Sequence, residues 1–180
     1  MLGCRRSKSG IRRFLQVKVL LQALEGIMAQ VLIYDRAVIG HARTDQTTRH
    51  LMTAPGVGPV VALAYITGVE DPSRFSSSAS VGAYFGMTPR RYKSGEVDQS
   101  GRISKCGDSM VRGLLFEAAK VLMSRTCRPS DLKTQGLALT QRIGSKKATM
   151  AIARKLAVIL HRMWITGRPF QWSVAVPKAA

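Results

Sequence analysis

Apolar residues recur at steps of three and four in the long apolar stretches of this sequence, and no stretch alternates strictly between apolar and polar residues. Steps of three and four place side chains on one face of an α-helix, whereas strict alternation is typical of a half-buried strand. The length of 180 residues is typical of one domain, or of one domain with an appended arm. The sequence therefore predicts a mainly α-helical protein, with a long N-terminal helix followed by a compact helical domain.

The first apolar stretch, residues 11–42, predicts a single long helix. Its spacing is that of the a and d positions of a coiled coil, and it equally fits an amphipathic helix packed on its own domain. Asp35 interrupts this apolar stripe, whose members are Phe14, Val17, Leu21, Leu24, Met28, Val31 and Val38. We assign residues 1–48 to a basic arm and this helix, residues 49–170 to the helical domain, and residues 171–180 to a flexible tail.

A short glycine-rich segment, Pro55-Gly56-Val57-Gly58, separates two apolar stretches and predicts a helix-hairpin-helix-like element. In such an element the glycines let the backbone approach a phosphate, and the free amides at the start of the second helix face it. The same residues also fit an ordinary turn between two core helices. We take Gly56, Val57 and Gly58 as candidate nucleic-acid contacts.

The charge of the chain indicates a polyanionic partner. Lys and Arg number 28 and Asp and Glu number 10, so the formal net charge is +18. A compact protein with this charge repels itself, and binding to nucleic acid relieves the repulsion. An anionic membrane surface or a ribosome are the competing partners. No acid follows Asp131, and the candidate contacts in this basic part of the chain are Lys146, Lys147, Arg154 and Lys155.

The cysteines and histidines do not have the spacing of a metal site, since the three cysteines lie far apart and no CxxC pair occurs. We therefore expect no metal on this chain, and reduced thiols in a cytoplasmic protein. The basic N-terminus leads into helical periodicity rather than into the apolar core of a signal peptide. The uninterrupted apolar runs are shorter than a membrane span, so no membrane partner is expected.

Residues 90–107 predict a long polar loop, followed by a helix with Asp108 as its N-cap. The loop contains three serines among several cations. A serine hydroxyl is a weak nucleophile, and cations can stabilise the charge that develops when it attacks a phosphate. Two of the serines also fit an ordinary role: Ser94 as a turn residue before Gly95, and Ser104 as a cap of the following helix.

Three blocks of the sequence resemble one known domain: APGVGPVVALAYITGVEDPSRFSSSASVGAYFGMTPRRYKSGE, GRISKCGDSMVRGLLFEAA and GSKKATMAIARKLAVILHRMWITGRPF. The domain is the C-terminal transposase domain of the bacterial insertion-sequence transposases that carry an N-terminal RuvC-like DEDD domain and a coiled-coil linker. The blocks keep their order and spacing over about residues 50–170. Members of that family are guided by a bridge RNA.

The resemblance implies DNA transposition by a serine nucleophile that forms a covalent link to DNA. The reactive position maps onto Ser94, with Ser104 and Ser100 as alternatives and with Arg91, Lys93 and Arg102 in support. Arg90 and Lys105 lie in the same basic segment, and we take them as candidate nucleic-acid contacts because of their charge.

The resemblance also implies that Mg²⁺ is held by the DEDD domain, and none is expected on this chain alone. Because no such domain precedes residue 1, we expect a truncated transposase. Its partners would be DNA, guide RNA, and a second copy or a full-length transposase. The alternative function is that of an inactive nucleic-acid-binding remnant that competes with an intact transposase.

Overall fold

A computed structural model of the chain describes residues 5–94, 97–126 and 128–172. The side chains are described for residues 13–90, 101–126 and 128–172. The chain divides into two compact units between His41 and Ala42.

The described part of the chain is mainly helical, as the sequence predicts. A single long helix, α1, comes first, and a compact helical region follows it. The remaining elements include one 3₁₀ turn, Pro72–Arg74, and one antiparallel β-hairpin. In chain order the elements are α1 (Arg5–Thr44), α2 (Gln46–Leu51), α3 (Pro59–Val69), α4 (Ser78–Tyr84), β1 (Pro89–Ser94), β2 (Val97–Ile103), α5 (Ser109–Ser124), α6 (Asp131–Ile143) and α7 (Ser145–Thr166).

Helix α1 exposes apolar side chains around its whole circumference. The predicted a/d stripe is exposed from Phe14 to Val31. Leu15, Val19 and Ile33 lie on the opposite face at 100° per residue and are exposed as well. The helix is therefore less one-sided than the predicted coiled-coil spacing implies.

The length and composition of α1 also pass the test for a membrane span. Residues Arg13–Thr44 are long and apolar enough to cross a bilayer, and no part of the apolar window is buried. Each uninterrupted apolar run of the sequence is shorter than a membrane span. The length and mean hydropathy of a span are reached only over the helix as a whole, with its few polar residues included. Among the described residues no other helix passes this test. An apolar helix that pairs with another protein has the same composition, so this composition fits either kind of helix.

The core of the second unit is built around α7, which packs against α4, α5 and α6. The helical spacing of the apolar residues in α7 predicts a buried face, and this is confirmed for Ala153, Leu156, Ala157 and Leu160. The hydroxyl of Tyr65, on α3, donates a buried hydrogen bond of 2.7 Å to the carbonyl oxygen of Ala157. Burial raises the pKa of the Tyr65 phenol, so this group stays a neutral donor.

His161 joins the buried face of α7 to the segment that enters α4. Its Nε2 lies 3.0 Å from the carbonyl oxygen of Pro72, and its Nδ1 lies 2.9 Å from the Ser78 hydroxyl. A carbonyl oxygen only accepts, so we assign the proton to Nε2, and Nδ1 accepts from Ser78. The imidazole is fully buried, and its edge packs on the ring of Phe75. These contacts fix the start of α4 on α7.

The N-cap predicted at Asp108 is confirmed, and Ser77 caps α4 in the same way. Asp108 accepts hydrogen bonds from the amides of Met110 and Val111 at 2.7 and 3.3 Å, and Ser77 accepts one from the amide of Ala79. The helical spacing of the apolar residues in α5 predicts a buried face that begins at Met110, and this is wrong for Met110, which is 63% exposed. It lies in the first turn of α5, before the helix reaches the core.

The prediction of a polar loop over residues 90–107 is wrong for most of its length. Strands β1 and β2 form an antiparallel hairpin there, with Arg91 opposite Ser100, Ser94 opposite Val97, and an irregularity between Pro89 and Arg91. Strand pairing uses backbone groups, so a ribbon of polar residues can form it without the apolar alternation that signals a half-buried strand.

Candidate nucleic-acid interface

The base of the hairpin is held tightly against the end of α4. The amide of Ser104 donates to the carbonyl oxygen of Thr88 at 2.9 Å, and that of Lys105 donates to Gly86 at 3.0 Å. Gly86 has a φ of +67°, and a Cβ there would lie 2.1 Å from the carbonyl oxygen of Cys106. Only glycine fits this contact, and it fixes where the chain leaves β2.

Three predicted cations surround Ser104 at this base. A small cavity of about 360 Å³ is lined by Arg90, Arg102, Ile103, Ser104 and Lys105. The Arg90 guanidinium donates to the carbonyl oxygen of Ser104 at 3.1 Å, which holds that side chain over the cavity. The cations are exposed and Ser104 is half-buried. The structure thus brings together Arg90, Arg102 and Lys105 with one of the three candidate serines.

Ser94 lies at the other end of the hairpin. It is the last residue of β1, four residues beyond Arg90, which corresponds to about 13 Å along a strand. The side chains of Arg91, Lys93, Ser94 and Ser100 lie outside the described residues, so their predicted roles stay predictions.

The capping role considered for Ser104 is wrong. Asp108 caps α5 instead, because its carboxylate accepts from both amides of the first turn.

The PGVG segment turns between α2 and α3, and much of it is used in packing. Val57 is buried. Gly56 has a φ of +81°, and a Cβ on it would lie 2.2 Å from the carbonyl oxygen of Ala118 on α5. Gly58 differs, because its φ is −97° and a Cβ there would meet nothing within 4 Å. Among the three predicted contacts, Gly58 is therefore the one with open space around it.

The start of α3 offers backbone donors beside Gly58. Gly58 is the N-cap and has no side chain to accept a hydrogen bond from the first turn. Pro59 lacks an amide hydrogen, and the amides of the next two residues precede the first intrahelical bond, which Ala62 donates to Gly58 at 3.0 Å. An anion can bind at such a helix start.

The start of α7 combines free amides with two predicted cations. Lys146 and Lys147 are exposed in its first turn, Gly144 provides no side-chain cap, and the turn contains no acid. Cations at a helix N-terminus are opposed by the helix dipole. A bound phosphate would remove this unfavourable interaction, since it is attracted by the amides and the lysines together.

Arg154 and Lys155 lie farther along α7, at a cleft of about 800 Å³. The cleft also contains Arg162 and Arg168, two cations that the sequence analysis did not select. Arg162 had a signal in the sequence, because Lys147, Arg154 and Arg162 fall within about 80° of one another on a helical wheel.

The residues with described side chains contain no group of three or more His, Cys, Asp or Glu placed to hold a metal ion. A carboxylate set for Mg²⁺ therefore does not fit the described part of this chain.

Residues 48–135 match the transposase family described as IS116/IS110/IS902. This segment contains the PGVG turn, the hairpin and α5. The chain is also similar to insertion-sequence transposases over a longer region. It is 30% identical over 146 residues to a probable family 20 transposase of Pseudomonas aeruginosa, which covers 81% of the chain and 42% of that protein.

Two further relatives are transposases for named insertion sequences. The chain is 33% identical over 142 residues to the transposase for IS1328 of Yersinia enterocolitica, covering 78% of the chain and 42% of the relative. It is 32% identical over 128 residues to the transposase for IS1111A of Coxiella burnetii, covering 71% and 35%. The chain thus spans well under half of the length of each of these three relatives.

The two glycines of the PGVG turn form a matched pair for testing a phosphate contact. Gly56→Ala should lower the free energy of unfolding by about 2 kcal/mol or more, because it combines a positive φ with a clash against α5. Gly58→Ala should leave the free energy of unfolding unchanged within about 0.5 kcal/mol, because a Cβ there meets nothing. It should weaken duplex DNA binding at least threefold by crowding the amides of α3. Thermal unfolding and fluorescence anisotropy measure the two effects. Unchanged DNA binding by Gly58→Ala would contradict the phosphate contact.

Proposed function

We propose that this chain acts in DNA transposition, as a nucleic-acid-binding transposase segment that uses a serine nucleophile. The observation that carries the proposal is the overlap between the family match and the basic hairpin. The matched residues 48–135 contain a candidate serine beside Arg90, Arg102 and Lys105. The relatives' transposase function supports the same proposal. Acting on DNA in a bacterium, the chain would work in the cytoplasm.

In the proposed reaction the serine Oγ attacks the phosphorus of a DNA phosphodiester. A bond forms between Oγ and phosphorus, the bond to one sugar oxygen breaks, and the serine proton ends on the departing oxygen. The DNA end stays attached to the protein as a phosphoserine ester. Attack by a hydroxyl of a second DNA end then restores the serine and joins the two ends. Positive charge beside the serine stabilises the extra negative charge of the transition state.

We place Ser94 first as the nucleophile, on the resemblance of its SG segment to the family. Ser104 is the second candidate, and a specific observation favours it. The described cations lie around Ser104, whereas Ser94 is about 13 Å away along the strand from Arg90. Ser94 therefore requires Arg91 and Lys93 as its own cations, or a conformation in which the hairpin meets DNA along its whole length.

A covalent adduct distinguishes the two serines. The chain would be mixed with a RuvC-like DEDD domain from a relative, Mg²⁺ and labelled insertion-sequence ends, and the adduct resolved on a denaturing gel. Ser94→Ala should abolish the adduct, while Ser104→Ala should retain it at a rate lowered less than tenfold. An adduct that survives Ser94→Ala and disappears with Ser104→Ala would move the nucleophile to Ser104.

The absence of any adduct from the unmodified chain would leave the second candidate function, binding without chemistry. The same basic surfaces support it, because they bind phosphates whether or not a serine reacts. Such a chain would compete with an intact transposase for its DNA or its guide RNA. Ser94→Thr serves as the matched control for the adduct experiment, because it keeps a hydroxyl at this position and adds a single methyl group.

We further propose that α1 pairs with a second copy or with a longer transposase through its predicted a/d stripe. The support is the row of exposed apolar residues from Phe14 to Val31, which water would otherwise cover. Lys18 and Glu25 lie within the apolar part of the same helix and favour a water-facing coiled coil over a bilayer span, because charged side chains inside a bilayer are costly.

Charges on opposite faces of α1 test this pairing. Leu21→Glu with Leu24→Glu places two carboxylates in the predicted interface and should yield a monomer in sedimentation at micromolar concentration. The matched control, Leu15→Glu with Val19→Glu, adds the same charge on the other face and should keep the oligomer. Equal disruption by both pairs would contradict an a/d interface, and partitioning of the unmodified chain into lipid vesicles would favour the membrane.

A further inference from the structure

The cleft beside α7 has a basic rim and an apolar floor. It lies between the solvent side of α7, the start of α6 and the segment that follows α7. Its volume of about 800 Å³ is within the range of sites that take a small organic ligand. The cleft therefore has room for more than an isolated phosphate.

The rim is strongly positive. Arg154, Lys155 and Arg162 project from α7, and Arg168 follows the end of that helix. Asp131 is the single acid that lines the cleft. Arg154 and Arg162 are eight residues apart, about 12 Å along the helix, which is close to twice the spacing of phosphates along one strand. The charge and the spacing suit a phosphate chain.

Two of these cations are held in place by neighbouring elements. The aliphatic stem of Arg154 crosses α4 at Gly82, where a Cβ would lie 2.7 Å from its Cγ. The ammonium group of Lys155 donates to the side-chain oxygen of Gln135 on α6. The rim is thus built by three helices rather than by freely moving surface side chains.

The floor is apolar and distinguishes this cleft from a simple basic surface. It is formed by Leu132 and Phe170, which are buried, and by half-buried side chains of α7 such as Val158 and Ile159. Phe170 is fixed by its amide, which donates to the Thr53 hydroxyl at 3.0 Å. A duplex would contact the cations through its phosphates and would leave this apolar floor in contact with water.

We propose that the cleft binds an unpaired nucleotide of a single strand, with its base on the apolar floor and its flanking phosphates on the arginines. An unpaired base exposes a flat apolar face, whereas a base in a duplex is covered by its stacked neighbours. The inference rests on the proposed nucleic-acid function and names the strand form that this site selects. The nucleotide can come from DNA or from RNA, since base and phosphate are common to both.

The experiment measures the affinity of the full chain for fluorescein-labelled 15-mers of dT, of rU, and of a mixed-sequence duplex. Val158→Glu places a carboxylate on the floor, and Val158→Ile is its apolar control. Arg162→Ala and Arg168→Ala each remove a rim cation, and Arg142→Ala removes an exposed cation of α6 that does not line the cleft. Circular dichroism melting checks that each variant is folded. If Val158→Glu does not fold, Arg168→Ala still tests the inference, because Arg168 is exposed and its removal should leave the fold intact.

Val158→Glu, Arg162→Ala and Arg168→Ala should each weaken single-strand binding at least tenfold and duplex binding less than threefold. Val158→Ile and Arg142→Ala should change neither by more than threefold. A preference for dT or rU of tenfold or more would identify the source of the nucleotide.

Three results would overturn the inference. The first is that the floor and rim variants lose single-strand and duplex binding equally. The second is an unchanged single-strand affinity of Val158→Glu. The third is that a poly-glutamate 15-mer at equal concentration displaces the dT 15-mer from the chain. The last would assign the cleft to an acidic peptide. Failure of the unmodified chain to bind any of the three nucleic acids would instead contradict the proposed function itself.

Discussion

Helix α7 contributes one face to the core and another to the candidate interface, and the second unit depends on that division. Its buried face packs against α4, α5 and α6, and it receives the Tyr65 hydrogen bond through the Ala157 carbonyl. His161 adds two hydrogen bonds to the segment before α4. Each of these buried polar groups would lose its partner if α7 moved, at a cost of about 1–3 kcal/mol per group. The orientation of α7 is therefore fixed, and so is the line of cations on its solvent side.

Electrostatics explains why this solvent side needs a partner. The formal net charge is +18, and two lysines occupy the first turn of α7 where the helix dipole opposes them. Such an arrangement lowers stability by itself, and it is relieved when phosphates occupy the surface. The hairpin base and the cleft repeat the pattern, with cations held in place by neighbouring backbone or side chains. The positions of the described cations therefore support the proposal of an anion that runs across several elements.

Parts of this architecture follow from sequence patterns that depend on local physics. The spacing of apolar residues in α5 and α7 predicts their buried faces, and the position of Asp108 before α5 predicts its role as N-cap. Both features depend on residues that are close in the chain. The hairpin could not be predicted from alternation, since its polar strands are joined by backbone pairing. The use of Gly56 in packing was also hidden, because it depends on the carbonyl of Ala118, more than sixty positions away in the chain. The cleft has the same origin: its walls come from α4, α6 and the segment after α7, which only tertiary packing brings together.

The central claim is that the basic surfaces of this chain bind the phosphates of nucleic acid. The most direct measurement is the dependence of duplex DNA affinity on salt, between 50 and 200 mM, for the full chain. Each neutralised phosphate contributes a slope of about −0.9 to the plot of log affinity against log salt. The account predicts a slope of about −4 or steeper, because the hairpin base and the start of α7 present five cations to a duplex, namely Arg90, Arg102, Lys105, Lys146 and Lys147. A slope near zero, or no binding at 50 mM salt, would contradict it.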